Sequence, residues 1–215
     1  MRTALIRLCC VISLVPFPAA AIVVDQAVIT VGNRAITESE VIERIRLSAF
    51  QNGQPPDFSV ASRREAARQL IDQKLVEHEM DLGHYLRTPP DQAKELMAAF
   101  AAEHFRGDTE AIRVALAAIS LTPTDLLAEL SKQADLLSFL SLRFRPAVQI
   151  SEADIEKYFR EHIESKVAAN PVALNEVRSG IEQILANRQA DADLETWLQE
   201  QRSRTRIVYL QKELQ

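Results

Sequence analysis

Helix-start signals recur along this chain, and they constrain its fold more than any other feature. Thr37-Glu38-Ser39-Glu40 and Ser62-Arg63-Arg64-Glu65 read as capping boxes, a hydroxyl at the cap and a carboxylate three residues on, which together satisfy two free backbone N–H groups. Thr88-Pro89 and Thr122-Pro123 place a capping hydroxyl before a proline at the first helical position, where the missing N–H costs nothing. Ser151-Glu152-Ala153-Asp154 opens a further helix. Only five glycines occur in 215 residues, which argues against a loop-rich or β-rich fold. The expected fold class is mainly α, a bundle of about six to seven helices.

The first helix is expected from Glu38 to Phe50, followed by a loop over Gln51 to Ser59 that holds Gly53, Pro55 and Pro56. A second, from Arg63 to Leu82, puts Ala67, Leu70, Ile71, Leu75 and Leu82 on one stripe and stops at Gly83. A third runs from Pro90 to Phe105, and Gly107-Asp108 restarts a fourth that reaches Ile119. The fifth, Pro123 to Arg145, carries more apolar residues than one stripe holds, so contacts on two sides are expected. Strand character is confined to Val23–Val31 and Arg34–Thr37, joined by Gly32-Asn33, and to Arg206–Leu210. A lone hairpin is marginal in water. The distant strand is therefore its expected partner, closing both ends of the chain into one small sheet.

The opening residues bear on compartment. Arg2 and Arg7 accompany an apolar run from Leu8 to Val15, Pro16 and Pro18 break it, and Ala19-Ala20-Ala21 is a small-residue cleavage pattern. That is the order of a secretory signal peptide over 1–21, with an apolar run too short for a stable membrane anchor. Export to the periplasm, or secretion, after cleavage near Ala21 is the expectation. Both cysteines, Cys9 and Cys10, fall inside this run, so the remainder has no disulfide or thiolate metal site. Export without disulfides fits a bacterial envelope. Cleavage removes Arg2 and Arg7 and no acidic residue, taking the net charge from −5 to −7. A chain this acidic, its basic residues scattered, is a poor nucleic-acid binder. No later stretch reaches transmembrane length.

The order of elements resembles a known family. Val24-Asp25, then Ala27 to Asn33, then Ile36-Thr37-Glu38-Ser39-Glu40-Val41 are similar to the opening hairpin and helix of the SurA/PpiD-like periplasmic chaperones, in their SurA N-terminal domain. Gln69-Leu70-Ile71-Asp72-Gln73-Lys74-Leu75 looks like their "LIDxxL" helix. Leu142-Arg143-Phe144-Arg145-Pro146 and Ile150-Ser151-Glu152-Ala153-Asp154-Ile155-Glu156-Lys157-Tyr158-Phe159 resemble the exit from that module. Asn175 through Ile207-Val208 is similar to the helix and strand that follow the family's parvulin prolyl isomerase. That isomerase, on the order of 90 residues and so of ordinary small-domain size, has no counterpart here. Only fifteen residues separate Tyr158 from Leu174, and no Gly-Gly pair occurs. The resemblance implies a chaperone domain over 22–163, completed by a helix and strand over 164–215. It further implies a periplasmic holding function towards unfolded or outer-membrane proteins, without isomerase activity. Unfolded or nascent envelope proteins are the implied partners, with the outer-membrane assembly machinery as a further candidate. The alternative function is a dedicated envelope-assembly adaptor docking one specific partner.

Catalytic and metal patterns are not found. His78-Glu79 lacks the second histidine that a zinc-binding helix needs four residues after the first, because Leu82 stands there, and His84 lies beyond Gly83. Glu152, Asp154 and Glu156 open a helix, where acidic residues meet the positive end of its dipole. No phosphate loop, nucleophile elbow or triad stands out, so neither catalytic residues nor cofactors are expected. A holding chaperone needs adaptable apolar side chains. The candidates are Leu126, Leu130, Leu137, Phe139, Leu140 and Phe144 on the fifth helix, Phe100 and Phe105 on the third, and Met80 and Met97.

Overall fold

A computed structural model describes residues 25–164 and 173–215, so the signal-peptide reading of 1–21 lies outside the described residues, as do Val23 and Val24 of the expected first strand. The fold is mainly helical with one small antiparallel sheet, as the sequence predicts. In chain order the elements are β1 (Ala27–Val31), β2 (Arg34–Thr37), α1 (Glu38–Gln51), α2 (Val60–Leu82), α3 (Pro90–Phe105), α4 (Thr109–Ala118), α5 (Pro123–Arg143), α6 (Glu152–Phe159), α7 (Leu174–Arg204) and β3 (Ile207–Tyr209).

The sheet joins both ends of the described chain. Its strand order is β2-β1-β3, with Thr30 opposite Ala35 on one side and opposite Val208 on the other. Gly32 turns the hairpin at φ 61°, a conformation that costs glycine little, and its N–H donates to the Arg206 carbonyl at 2.9 Å. Leu214, just past β3, is buried among the core residues.

Capping chemistry sets most helix starts. Thr37 with Glu40, Thr122 with Asp125 and Ser151 with Asp154 each form a reciprocal capping box. Two expected starts differ. α2 begins at Val60, three residues early, because Ser59 accepts from the Ser62 N–H and the Asp57 carboxylate takes both the Ser59 and Ser62 hydroxyls. Thr88 does not cap α3; its N–H and hydroxyl both donate to Asp135 of α5 at 2.6 Å, and Pro89 is left as an N-cap without a side-chain bond. Leu82, expected on the buried stripe of α2, is 65% exposed, and Met80 is buried instead. The helix ends there at Gly83, and the left-handed residue that turns the chain is His84.

Two apolar clusters hold the fold. The first gathers the sheet, α1, α2, the C-terminal half of α5 and α7, with Phe139 at its centre: its ring meets Tyr85 at 5.3 Å, Trp197 at 5.6 Å and Phe144 at 5.7 Å. The second joins the end of α1 and the start of α5 to α3 and α4 through Leu47, Ala101, Ile112, Leu116 and Leu126, and the rings of Phe50, Phe100 and Phe105 pack in a triangle with centroids 5.7–6.2 Å apart. Helix α5 therefore serves two cores, which is why its apolar face is wide. Among the described residues no single helix is long and apolar enough to cross a membrane.

Candidate functional site

Between α2, α5 and α7 lies a cleft of about 320 Å³, the low end of the range for ligand sites. Helical spacing builds it. Gln69, Asp72, Gln73, Val76, Glu77 and Met80 follow the i, i+3, i+4, i+7 rhythm on α2. Glu129, Lys132, Gln133 and Leu136 repeat it on α5, and Leu194 and Leu198 stand one turn apart on α7. Val76, Met80, Leu136, Leu194 and Leu198 make an apolar floor, and the polar members of the same faces form the walls.

Those walls are electrostatically closed almost throughout. Arg44 of α1 reaches Glu129 at 2.5 Å and donates also to Gln73, and Gln133 donates to Glu129 at 3.0 Å. The Glu129 side chain is only 3% exposed, so this pair bridges α1 to α5 inside the protein. Arg202 of α7 grips Asp72 of α2 with two parallel bonds of 2.7 and 2.5 Å. Burial nevertheless pushes the Asp72 carboxyl above its ordinary value, with Arg202 pulling the other way. Arg87 ties the α2–α3 link to Asp81 at 2.6 Å and to Asp135 at 3.6 Å. Hydrogen bonds from Arg34, then Arg87, hold the Asp81 carboxyl below its ordinary value. Lys132 differs from its neighbours: no carboxylate stands within 4.0 Å of it among the described residues.

Among the described residues no three His, Asp or Glu side chains come together to hold a metal ion. His162 lies flat against the Tyr158 ring, 4.3 Å between centroids, beside a second and more polar cleft between α6 and α7.

Of the ten apolar side chains expected to meet a client, only Met80 borders the cleft, as part of its buried floor. Leu126 and Phe139 are wholly buried in the two clusters, and Phe144 is buried in the first with 8% exposed. Leu140 packs on the first cluster; Met97, Phe100, Phe105 and Leu130 pack on the second. Leu137 is 65% exposed, away from both. Sequence reasoning passed over Val76, Leu136, Leu194 and Leu198 because each reads as ordinary helix core. A face mixing apolar and paired charged residues on both α2 and α5 was the available signal.

In comparisons with protein-family models and with curated proteins, this chain matches none.

Proposed function

We propose that this protein is an exported holding chaperone of the SurA type without an isomerase domain, and that the cleft between α2, α5 and α7 takes apolar side chains from extended segments of unfolded envelope proteins. The observation that carries this reading is a cleft with an apolar floor, partly exposed at Leu136 and Leu194, whose wall charges other than Lys132 are satisfied within the protein. Such a site offers apolar contact without a reacting group, through Leu136 and Leu194, the partly exposed members of its floor. The motif order at both ends of the chain, with the isomerase segment missing between Tyr158 and Leu174, supports the same reading.

The test is suppression of aggregation. The chain from Ile22 onward, mixed with a denatured outer-membrane protein on dilution, should delay light scattering with modest affinity; micromolar binding corresponds to about 8 kcal/mol. Leu194→Gln, on the cleft floor, should weaken the effect. A protease-coupled assay on a proline peptide should show only the uncatalysed rate, roughly tens to hundreds of seconds. Failure to hold any unfolded protein, alongside tight capture of one native envelope partner, would replace this reading with that of a dedicated adaptor.

A further inference from the structure

We infer that the cleft selects client segments in which a carboxylate stands two residues from a large apolar side chain, with Lys132 as the residue that sets this preference. The inference rests on the holding-chaperone reading and adds to it a chemical class of client. Charge complementarity carries it. Arg44 is engaged with Glu129, Arg87 with Asp81 and Asp135, and both oxygens of Asp72 with Arg202. Lys132 alone among the cations lining the cleft has no such partner among the described residues. Glu43 on α1 lies close enough to feel its charge, yet stands beyond ion-pair distance. An incoming carboxylate near Lys132 therefore gains a cation without breaking an existing pair, whereas an incoming cation displaces one.

Geometry supplies the spacing. Lys132 stands four residues before Leu136 on α5, on the same face and about 6 Å along the helix axis from the apolar floor. In an extended client, side chains on one face recur every second residue, about 6.6 Å apart. A segment that seats its apolar side chain against Leu136, Leu194 and Leu198 thus brings the residue two positions away within reach of the flexible Lys132 side chain. The protein's acidic net charge does not cancel this, because exposed charges more than about 8 to 10 Å away are screened at ordinary ionic strength.

Three labelled peptides of equal length decide the matter. Each carries one central leucine, with Glu, Gln or Lys two positions away on both sides, and binding to the chain from Ile22 onward is read by fluorescence anisotropy. The Glu peptide is expected to bind about two- to fivefold more tightly than the Gln peptide, the scale of one exposed ion pair, and the Lys peptide more weakly. Lys132→Glu should reverse that order and Lys132→Arg should keep it; circular dichroism checks that both variants fold. Equal binding of all three peptides, or an order unchanged by Lys132→Glu, overturns the inference and leaves the holding function standing. Aggregation suppression with no peptide binding overturns it too, by placing clients elsewhere. Loss of both peptide binding and suppression overturns the inference together with the function it rests on.

Discussion

A Cβ added at Gly83 would lie 2.5 Å from Tyr85 Cε2 and 2.9 Å from Cδ2, closer than any side chain tolerates. Tyr85 is not free to yield, since its ring packs edge-on against Phe139. Gly83→Ala should therefore cost roughly 1–3 kcal/mol, as overpacking does, visible as a lower urea midpoint with an unchanged slope. Phe139→Ser acts at the same place and removes the centre of the first cluster. A loss of about 3–5 kcal/mol is expected by analogy with Phe→Ala, so this variant reports on folding and not on client binding. Asp72 makes a prediction with a sign. Its carboxyl is raised by burial in the folded chain, so the folded state binds that proton more tightly than the unfolded state. Its contribution to stability is greatest below the unfolded value of 3.8 and falls as pH rises through the folded value. Against Asp72→Asn, the wild type should accordingly gain relative stability as pH drops from 7 to 4. A wild type that loses ground over that range would show that the Arg202 pair outweighs burial.

At the scale of elements, α1 and α5 share a polar seam between two apolar clusters. Val41 and Ile45 belong to the first cluster and Leu47 to the second; on α5, Leu126 lies in the second and Phe139 in the first. Arg44, Glu129, Gln133 and Gln51 occupy the boundary, linked by hydrogen bonds, and the Arg44 Nε is buried there without a partner. A buried ion pair costs much of its attraction in desolvation, while breaking it strands a charge. Glu129→Leu alone should therefore lose about 3–5 kcal/mol, and the double variant Arg44→Met with Glu129→Leu should recover most of it or exceed the wild type. Denaturant titration of the single and double variants measures this coupling. The capping boxes of α1, α5 and α6 were legible because a cap is a contact between residues three apart. Thr88 was misread because its true partner, Asp135, is 47 residues away.

Across the described residues, the last residues complete the sheet that the β1–β2 hairpin begins. β3 covers one edge of β1, and Arg64 Nε donates to the Glu213 carbonyl at 2.8 Å, fixing the segment that buries Leu214. Truncation after Arg206 would leave the hairpin two-stranded, a marginal structure in water, with an open edge on β1. The truncated chain should melt at a distinctly lower temperature, with Trp197 fluorescence shifted towards that of exposed indole. Leu214→Ala, which keeps β3, should cost about 2–5 kcal/mol, and it separates the burial of Leu214 from the loss of the strand.

Local chemistry made the helices, the two-residue hairpin turn and the small sheet's participants readable from the sequence, because caps, turn residues and β-branched runs act between near neighbours. Even the double duty of α5 showed as an apolar face too broad for one contact. What tertiary structure alone decided is which apolar residues border open space. Phe139 and Leu136 are three residues apart on one helix; one is sealed by Tyr85, Trp197 and Phe144, while the other lines a cleft against Leu194 and Leu198. Burying an apolar side chain yields similar free energy wherever it occurs, so nothing in the residue type distinguishes the two fates. The difference comes from what distant segments bring to each: Leu194 and Trp197 of α7, each 58 residues beyond its neighbour on α5, together with Tyr85.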